Sequence, residues 1–134
     1  MVRKILILIG GFLTAAWGIA HLFPTKNVVK GFGDISIDNA RIITMEWMNE
    51  GFTLIFIGLL TIVVTLVNKG NQKVTRMVYL LSFIMLEAMA ILSLFTGFKI
   101  DFLPYRLCPL IFTVSGLLIL QGTFIKATTH KLIQ

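Results

Sequence analysis

Hydrophobic residues along this chain gather into four long runs. Ile5 to Phe23 covers 19 residues, Gly51 to Asn68 covers 18, Met77 to Phe98 covers 22 and Leu107 to Ile125 covers 19, and Glu87 is the sole charge within them. A bilayer core about 30 Å thick takes about 20 helical residues to cross. Each run therefore predicts a membrane-spanning helix, at about residues 5–23, 45–67, 77–98 and 107–125. The polar stretches between them carry stop and start signals. Pro24 ends the first helix, Gly31 and Gly33 interrupt the longest connection, and Pro104 suits the first turn of the fourth helix. Asp38 is the expected N-cap of a second helix that can begin near Asn39, and Pro109 predicts a local kink. Short connections make consecutive helices antiparallel neighbours. The expected fold is all-α: an integral membrane, up-down four-helix bundle with residues 1–134 as a single domain.

Two finer patterns refine this picture. Gly11, Ala15 and Gly18 recur at helical spacing on the first helix and Gly58 lies within the second. In lipid, small residues of this kind mark faces where helix backbones approach closely. Val28, Val29 and Phe32, interleaved with Lys26 and Lys30, predict a segment lying on the bilayer surface. The first run also has the basic start (Arg3, Lys4) and small residues (Gly18, Ala20) of a cleaved signal. Its length, with Trp17 and His21 near its end, favours a retained span.

Composition agrees with the pattern. Of 134 residues 57% are hydrophobic and 13% charged, with a mean hydropathy of +0.91; soluble domains average about 25% charged residues. A soluble globular domain, a disordered chain and a disulfide scaffold are excluded. The net charge of +6 reads as membrane topology rather than nucleic-acid binding. With the N-terminus cytoplasmic, that side holds Arg3, Lys4, Lys69, Lys73, Arg76, Lys126 and Lys131 and no acid. The opposite side mixes Lys26, Lys30, Arg41, Lys99 and Arg106 with Asp34, Asp38, Glu46, Glu50 and Asp101. The positive-inside rule then places both termini in the cytoplasm of a multi-pass protein of the cell membrane, here a bacterial inner membrane. The basic face meets anionic lipid head groups.

The candidate chemistry is a short set of polar residues in or beside the runs. Glu87 stands at the centre of the third run, where an ionisable group is costly and usually faces a bundle interior or cavity. It is either a proton site or ligand anchor, or a carboxylic acid bonded across the bundle to a hydroxyl. Glu46 and Glu50 share one helix face at i,i+4, a spacing that favours a cationic partner or a shared proton. Trp47 beside them is an interfacial-belt residue or part of a site. Trp17 and His21 are also i,i+4, on a face continued by Gly10 and Thr14. His21, Glu46, Glu50 and Arg106 should gather at the outer end, above Glu87, as a polar vestibule leading toward the buried acid. No metal site is expected, because the paired Glu-x-x-His motifs of a di-iron bundle are missing. The one cysteine, Cys108, rules out an intramolecular disulfide and reads as a small buried apolar residue without a base. Catalytic residues are not assignable, and no cofactor is called for.

The first helix ends in Gly18-Ile19-Ala20-His21-Leu22-Phe23-Pro24, and the second carries Glu50-Gly51 followed by Phe56-Ile57-Gly58-Leu59-Leu60. These segments, with the size and four spans, resemble small DoxX-like membrane proteins. The resemblance implies a four-helix bundle and, in some members, association with membrane oxidoreductases or quinone-linked electron transfer; Glu50 and His21 carry over, although His21 departs from the basic residue expected there. A second resemblance is to EXPERA-type sterol isomerases and sigma-2-like receptors, which set intramembrane acids and a Trp around an apolar ligand. Glu46, Trp47, Glu50, Glu87 and His21 supply similar chemistry. Small multidrug exporters differ, because their acid lies in the first helix and this first helix has none.

The leading expectation is an accessory or ligand-binding membrane protein. It would hold a quinone, a lipid or another apolar molecule, or a partner membrane subunit, with a second copy of the chain as a further candidate partner. Glu87 and Glu50 would be the anchors and His21 would modulate protonation. Two alternatives stand beside it: a proton-shuttle enzyme acting on a lipid, and a small proton-coupled transporter using Glu87.

Overall fold

Helix accounts for nearly all of residues 2–68, 72–96 and 103–124, the part of the chain that the computed structural model describes. In chain order the helices are α1 (Val2–Leu22), α2 (Thr25–Gly31), α3 (Ile37–Val67), α4 (Gln72–Thr96) and α5 (Leu103–Leu120). A 3₁₀ turn at Gln121–Phe124 follows. Four helical stretches, Val2–Leu22, Ile37–Val67, Lys73–Thr96 and Tyr105–Phe124, are long and apolar enough to cross a membrane. Lys69, Lys99, Asp101, Lys126 and Lys131 lie outside the described residues.

The helix ends follow from local sequence, with one correction. Ser36, not Asp38, caps α3: its backbone is extended and its hydroxyl accepts the Asn39 N–H at 3.2 Å. Asp38 falls inside the first turn, where its charge favours the helix dipole. Starting at Ile37 makes α3 31 residues long, about 46 Å at 1.5 Å per residue, well beyond the hydrocarbon core. A helix of that length either extends past the core or tilts within it, and α2 packs against α3. Gly33 takes a positive φ of 72° in the turn between α2 and α3, a conformation that glycine adopts without steric cost. α5 runs through Pro109 without a break, although the ring removes the N–H that would bond back to residue 105.

The bundle is a ring in chain order with one loose seam. α1 lies between α3 and α5, and α4 packs along α5, whereas α3 and α4 meet sparingly. Neighbours run antiparallel: Gly11 faces Gly58 while Gly18 faces Gly51, and Gly10 faces Ser115. The α1–α3 seam is the closest. A Cβ on Gly58 would lie 2.5 Å from the Gly11 carbonyl oxygen and 2.6 Å from the Ala15 nitrogen. The small residues on these helices therefore set the backbone separation, as expected in lipid. At one end of the loose α3–α4 seam the buried hydroxyls of Thr65 and Tyr79 hydrogen-bond at 2.9 Å. At that end the Arg3 guanidinium also donates to the Phe124 carbonyl, tying α1 to the 3₁₀ turn.

The apolar core is Ile7, Leu54, Ile57, Tyr79, Leu86, Ala90, Cys108, Phe112 and Ile119. Only 28–39% of the residues in each apolar window are buried within the chain. Phe12, Phe56, Leu81 and Leu92 are among the many large apolar side chains left on the outside. Such a surface requires lipid rather than water around it. The chain is a multi-pass, four-helix membrane protein.

Candidate functional site

The site forms at the opposite end of the bundle from the Thr65–Tyr79 pair, one turn beyond the tight crossing of Gly18 and Gly51. A Cβ on Gly18 would stand 2.7 Å from the Gly51 carbonyl oxygen, so α1 and α3 are almost in backbone contact. His21 lies three residues after Gly18, and Glu50 immediately precedes Gly51. The crossing delivers imidazole to carboxylate: Nε2 of His21 is 3.4 Å from Oε2 of Glu50. The His21 side chain is 3% exposed and that of Glu50 28%, so one partner is enclosed and the other reaches the surface.

Aromatic packing holds the imidazole. The Trp47 ring stacks on His21 with centroids 3.9 Å apart and planes inclined by 15°. The same indole donates its Nε1–H to the His21 carbonyl oxygen at 2.7 Å. That carbonyl belongs to the last turn of α1, where acceptors lack helical donors; Thr25 serves the next one, donating to Leu22 at 2.6 Å. Trp47 is 5% exposed. Tyr105 of α5 meets its edge at 5.2 Å and 60°.

One turn after Tyr105, α5 contributes a third donor. The ligand atoms of His21, Glu50 and Cys108 all lie within 4.8 Å of one another. This corrects the reading of Cys108 as a residue without a base. It is a buried core residue and also a neighbour of an imidazole, because the α1–α5 packing places the start of α5 level with the end of α1. Tyr105 was likewise missed. A helical face carrying Tyr105 and Cys108 at i,i+3, at the depth of His21, is the signal that could have found both. Trp17, half-buried one turn before His21, lies near Cys108.

A groove of about 500 Å³ opens beside this cluster in the loose seam between α3 and α4. Val28 of α2 and Phe32 just after it line one side, α3 contributes Ile42 and Ile43, and α4 contributes Met85, Met89 and Leu92. Its polar groups are concentrated on α3, in Glu46, Asn49, Glu50 and Thr53, with Trp47 and Tyr105 beside them and Ser93 and Thr96 on α4. Glu50 thus belongs both to the buried cluster and to the groove wall. His21 and Cys108 line the cluster alone.

Two of the remaining candidates, Arg106 and Glu87, separate from this site. Glu46 is exposed on the groove wall, and Arg106 is exposed on α5. Glu87 is partly buried between α4 and α5 and does not line the groove. Its Oε2 accepts the Thr113 hydroxyl at 3.4 Å, and its Oε1 faces Gly116, where an added Cβ would come within 3.0 Å. Thr113 and Gly116 lie five and eight residues along α5 from Cys108, a displacement of roughly 7–12 Å. Of the residues expected to gather at this end or lie beneath it, Glu46 and Glu50 line the groove, whereas His21, Arg106 and Glu87 are not among its lining residues.

Comparison with models of known protein families, with curated proteins and with solved structures finds no match. The functional reading rests on the geometry of this chain.

Proposed function

We propose that this membrane protein binds an amphiphilic molecule in the groove between α3 and α4. The apolar body would lie along Phe32, Met85, Met89 and Leu92, with the polar head against Glu46, Asn49 and Glu50. The observation that carries the reading is the groove itself, a mostly apolar cavity of about 500 Å³ with the carboxylates of Glu46 and Glu50 among its lining residues. Ligand pockets of this size are mostly apolar with a few convergent polar groups. Carboxylates accept hydrogen bonds or pair with cations, so the head should donate: a lipid hydroxyl or amine, or a quinone in its reduced form. The resemblance to DoxX-like proteins favours the quinol. The positive-inside distribution supports cytoplasmic termini in a cell membrane, which puts the groove at the outer end.

The test is photolabelling of the full chain in nanodiscs with a quinol analogue carrying a diazirine on its tail. Labels concentrated on Phe32, Met85 and Met89, and lost when Met89→Trp fills the groove, support the proposal. Labels spread evenly over Phe12, Phe56 and Leu81 overturn it.

The 3.4 Å approach of His21 to Glu50 favours a second reading, a proton-shuttle enzyme. Glu50 faces the groove and could take a proton from a bound molecule, with enclosed His21 as the relay behind it. Turnover surviving in Glu50→Gln would exclude it.

A further inference from the structure

We infer that His21, Glu50 and Cys108 form a binding site for a divalent transition metal, with zinc the ion that fits best. Three helices converge to supply one nitrogen, one oxygen and one sulfur, all within 4.8 Å of one another. An independent observation points to a missing partner. Nε2 of His21, on a residue only 5% exposed, makes no hydrogen bond despite lying 3.4 Å from a carboxylate oxygen. Buried polar atoms are almost always satisfied. An enclosed imidazole nitrogen that approaches an acid without a hydrogen bond, with a thiol in the same cluster, is an arrangement that a metal would complete.

The distances suit the ion. Tetrahedral zinc holds N and O at about 2.0–2.2 Å and S at about 2.3 Å, which sets the ligand atoms about 3.3–3.6 Å apart. The His21–Glu50 separation of 3.4 Å is already there. Closing the widest separation in the cluster requires about 1 Å of side-chain movement, within reach of small rotations of Cys108 or Glu50. Charge favours occupancy as well. A thiolate and a carboxylate cancel the two positive charges while the imidazole stays neutral, and burial penalises any uncompensated charge. Binding would displace the thiol proton to solvent, as metal capture by cysteine generally does. The sulfur donor disfavours magnesium and calcium, which take oxygen ligands.

The surroundings resemble the support that metal ligands need. Stacking on Trp47 and the Trp47–His21 backbone bond fix the plane of the imidazole, an orienting role usual outside the ligand shell. Three protein ligands leave a fourth position open. Since Glu50 is the ligand that lines the groove, that position lies toward the groove and could take water or a ligand head group. The inference does not depend on what the groove binds.

The full chain, purified in detergent and stripped with a chelator, should be titrated with Co²⁺ and then Zn²⁺. One equivalent of Co²⁺ should produce thiolate-to-metal charge transfer in the near ultraviolet and intense tetrahedral bands in the visible, and Zn²⁺ should abolish both. Cys108→Ser should lose the charge-transfer band and bind zinc at least about a hundredfold more weakly, since even outer-shell changes cost 10–100-fold. Glu87→Gln, outside the cluster, should titrate like the wild type. X-ray absorption of the zinc-loaded wild type should report one sulfur and lighter ligands, a result that no folding defect of a variant can mimic. Failure of the wild type to bind either ion saturably would overturn the inference, as would a band that persists in Cys108→Ser. Cys108 does not line the groove, so retained groove photolabelling in the same preparations would show that the metal site alone had failed.

Discussion

Replacing Gly18 with alanine places one methyl group at a point of near contact between α1 and α3. The new Cβ would stand 2.7 Å from the Gly51 carbonyl oxygen and 2.8 Å from the Ile55 nitrogen, where ordinary contact begins at 3.4 Å. Both neighbours are backbone atoms and cannot swing aside. The helices must part by about 0.6 Å, a gap that forfeits a quarter or more of each dispersion contact along the seam. Overpacking costs about 1–3 kcal/mol, and alanine in place of glycine within a helix returns up to about 1 kcal/mol. Net destabilisation of up to about 2 kcal/mol is expected. Gly31→Ala is the matched control: it closes α2 in open space, with nothing within 4 Å. There propensity acts alone, and the variant should be neutral or more stable by up to about 1 kcal/mol. Reversible unfolding in mixed micelles titrated with sodium dodecyl sulfate, followed by helical circular dichroism, reads both. The same chemical change should shift the midpoints in opposite directions. A Gly18→Ala protein more stable than the wild type, as Gly31→Ala is allowed to be, would refute the claim that α1 and α3 are in near contact at this crossing.

Other substitutions probe single contacts. Tyr79→Phe removes the 2.9 Å bond to Thr65 and should cost about 0.5–1.5 kcal/mol in the same titration; no loss would mean that this pair does not close the α3–α4 seam. Thr113→Val strips Glu87 of its hydroxyl donor and should cost about 1–3 kcal/mol. Glu87→Gln keeps an acceptor for Thr113 and should stay within about 1 kcal/mol of the wild type, so a larger loss would assign the carboxylic acid a role that an amide cannot fill. Trp47→Phe loses both the bond to the His21 carbonyl and part of the stacked ring, and should cost about 1–3 kcal/mol. For topology, Ser36→Cys in intact cells should react with a membrane-impermeant maleimide, whereas Lys73→Cys should react only after permeabilisation. Both positions are exposed and the native Cys108 is buried, so the reverse pattern would invert the orientation.

What was legible in the sequence is what depends on one helix at a time. Apolar runs reveal spans because bilayer thickness fixes their length. The i,i+4 pairs Trp17–His21 and Glu46–Glu50 are readable because helical periodicity fixes which side chains share a face. What depends on the rotation of one helix against another was not legible. Cys108 belongs with His21 because Gly10, packed on Ser115 and Leu118, sets the register of α5 on α1, and nothing near position 108 encodes that. Trp47 shows the same limit. Its neighbours suggest an interfacial belt, yet it is buried against His21, because the 18–51 crossing draws its face of α3 onto α1. The groove was hidden for a related reason, since a seam that fails to close leaves no mark on either helix alone.

The two polar features of the bundle answer different physical demands. Glu87 lies mid-span, where lipid provides no hydrogen-bonding group, and the structure gives it a hydroxyl from the adjacent helix. Such a bond satisfies one carboxylate oxygen and needs only two helices. The His21 cluster sits at helix ends, where some access to water lowers the cost of charge, yet its imidazole is more deeply enclosed than Glu87 and its Nε2 lacks a hydrogen bond. Packing alone does not account for that combination. A residue needed only to fill space beside Trp47 could be apolar, and a residue needed only for an ion pair would turn Nε2 onto Glu50 with proper geometry. An imidazole locked by a stacked indole, held by a glycine crossing and aimed between an acid and a thiol is positioned for a partner that the chain itself does not supply. The tight α1–α3 seam and the loose α3–α4 seam then complement each other: the first fixes the donors, and the second leaves Glu50 open to whatever approaches from the membrane.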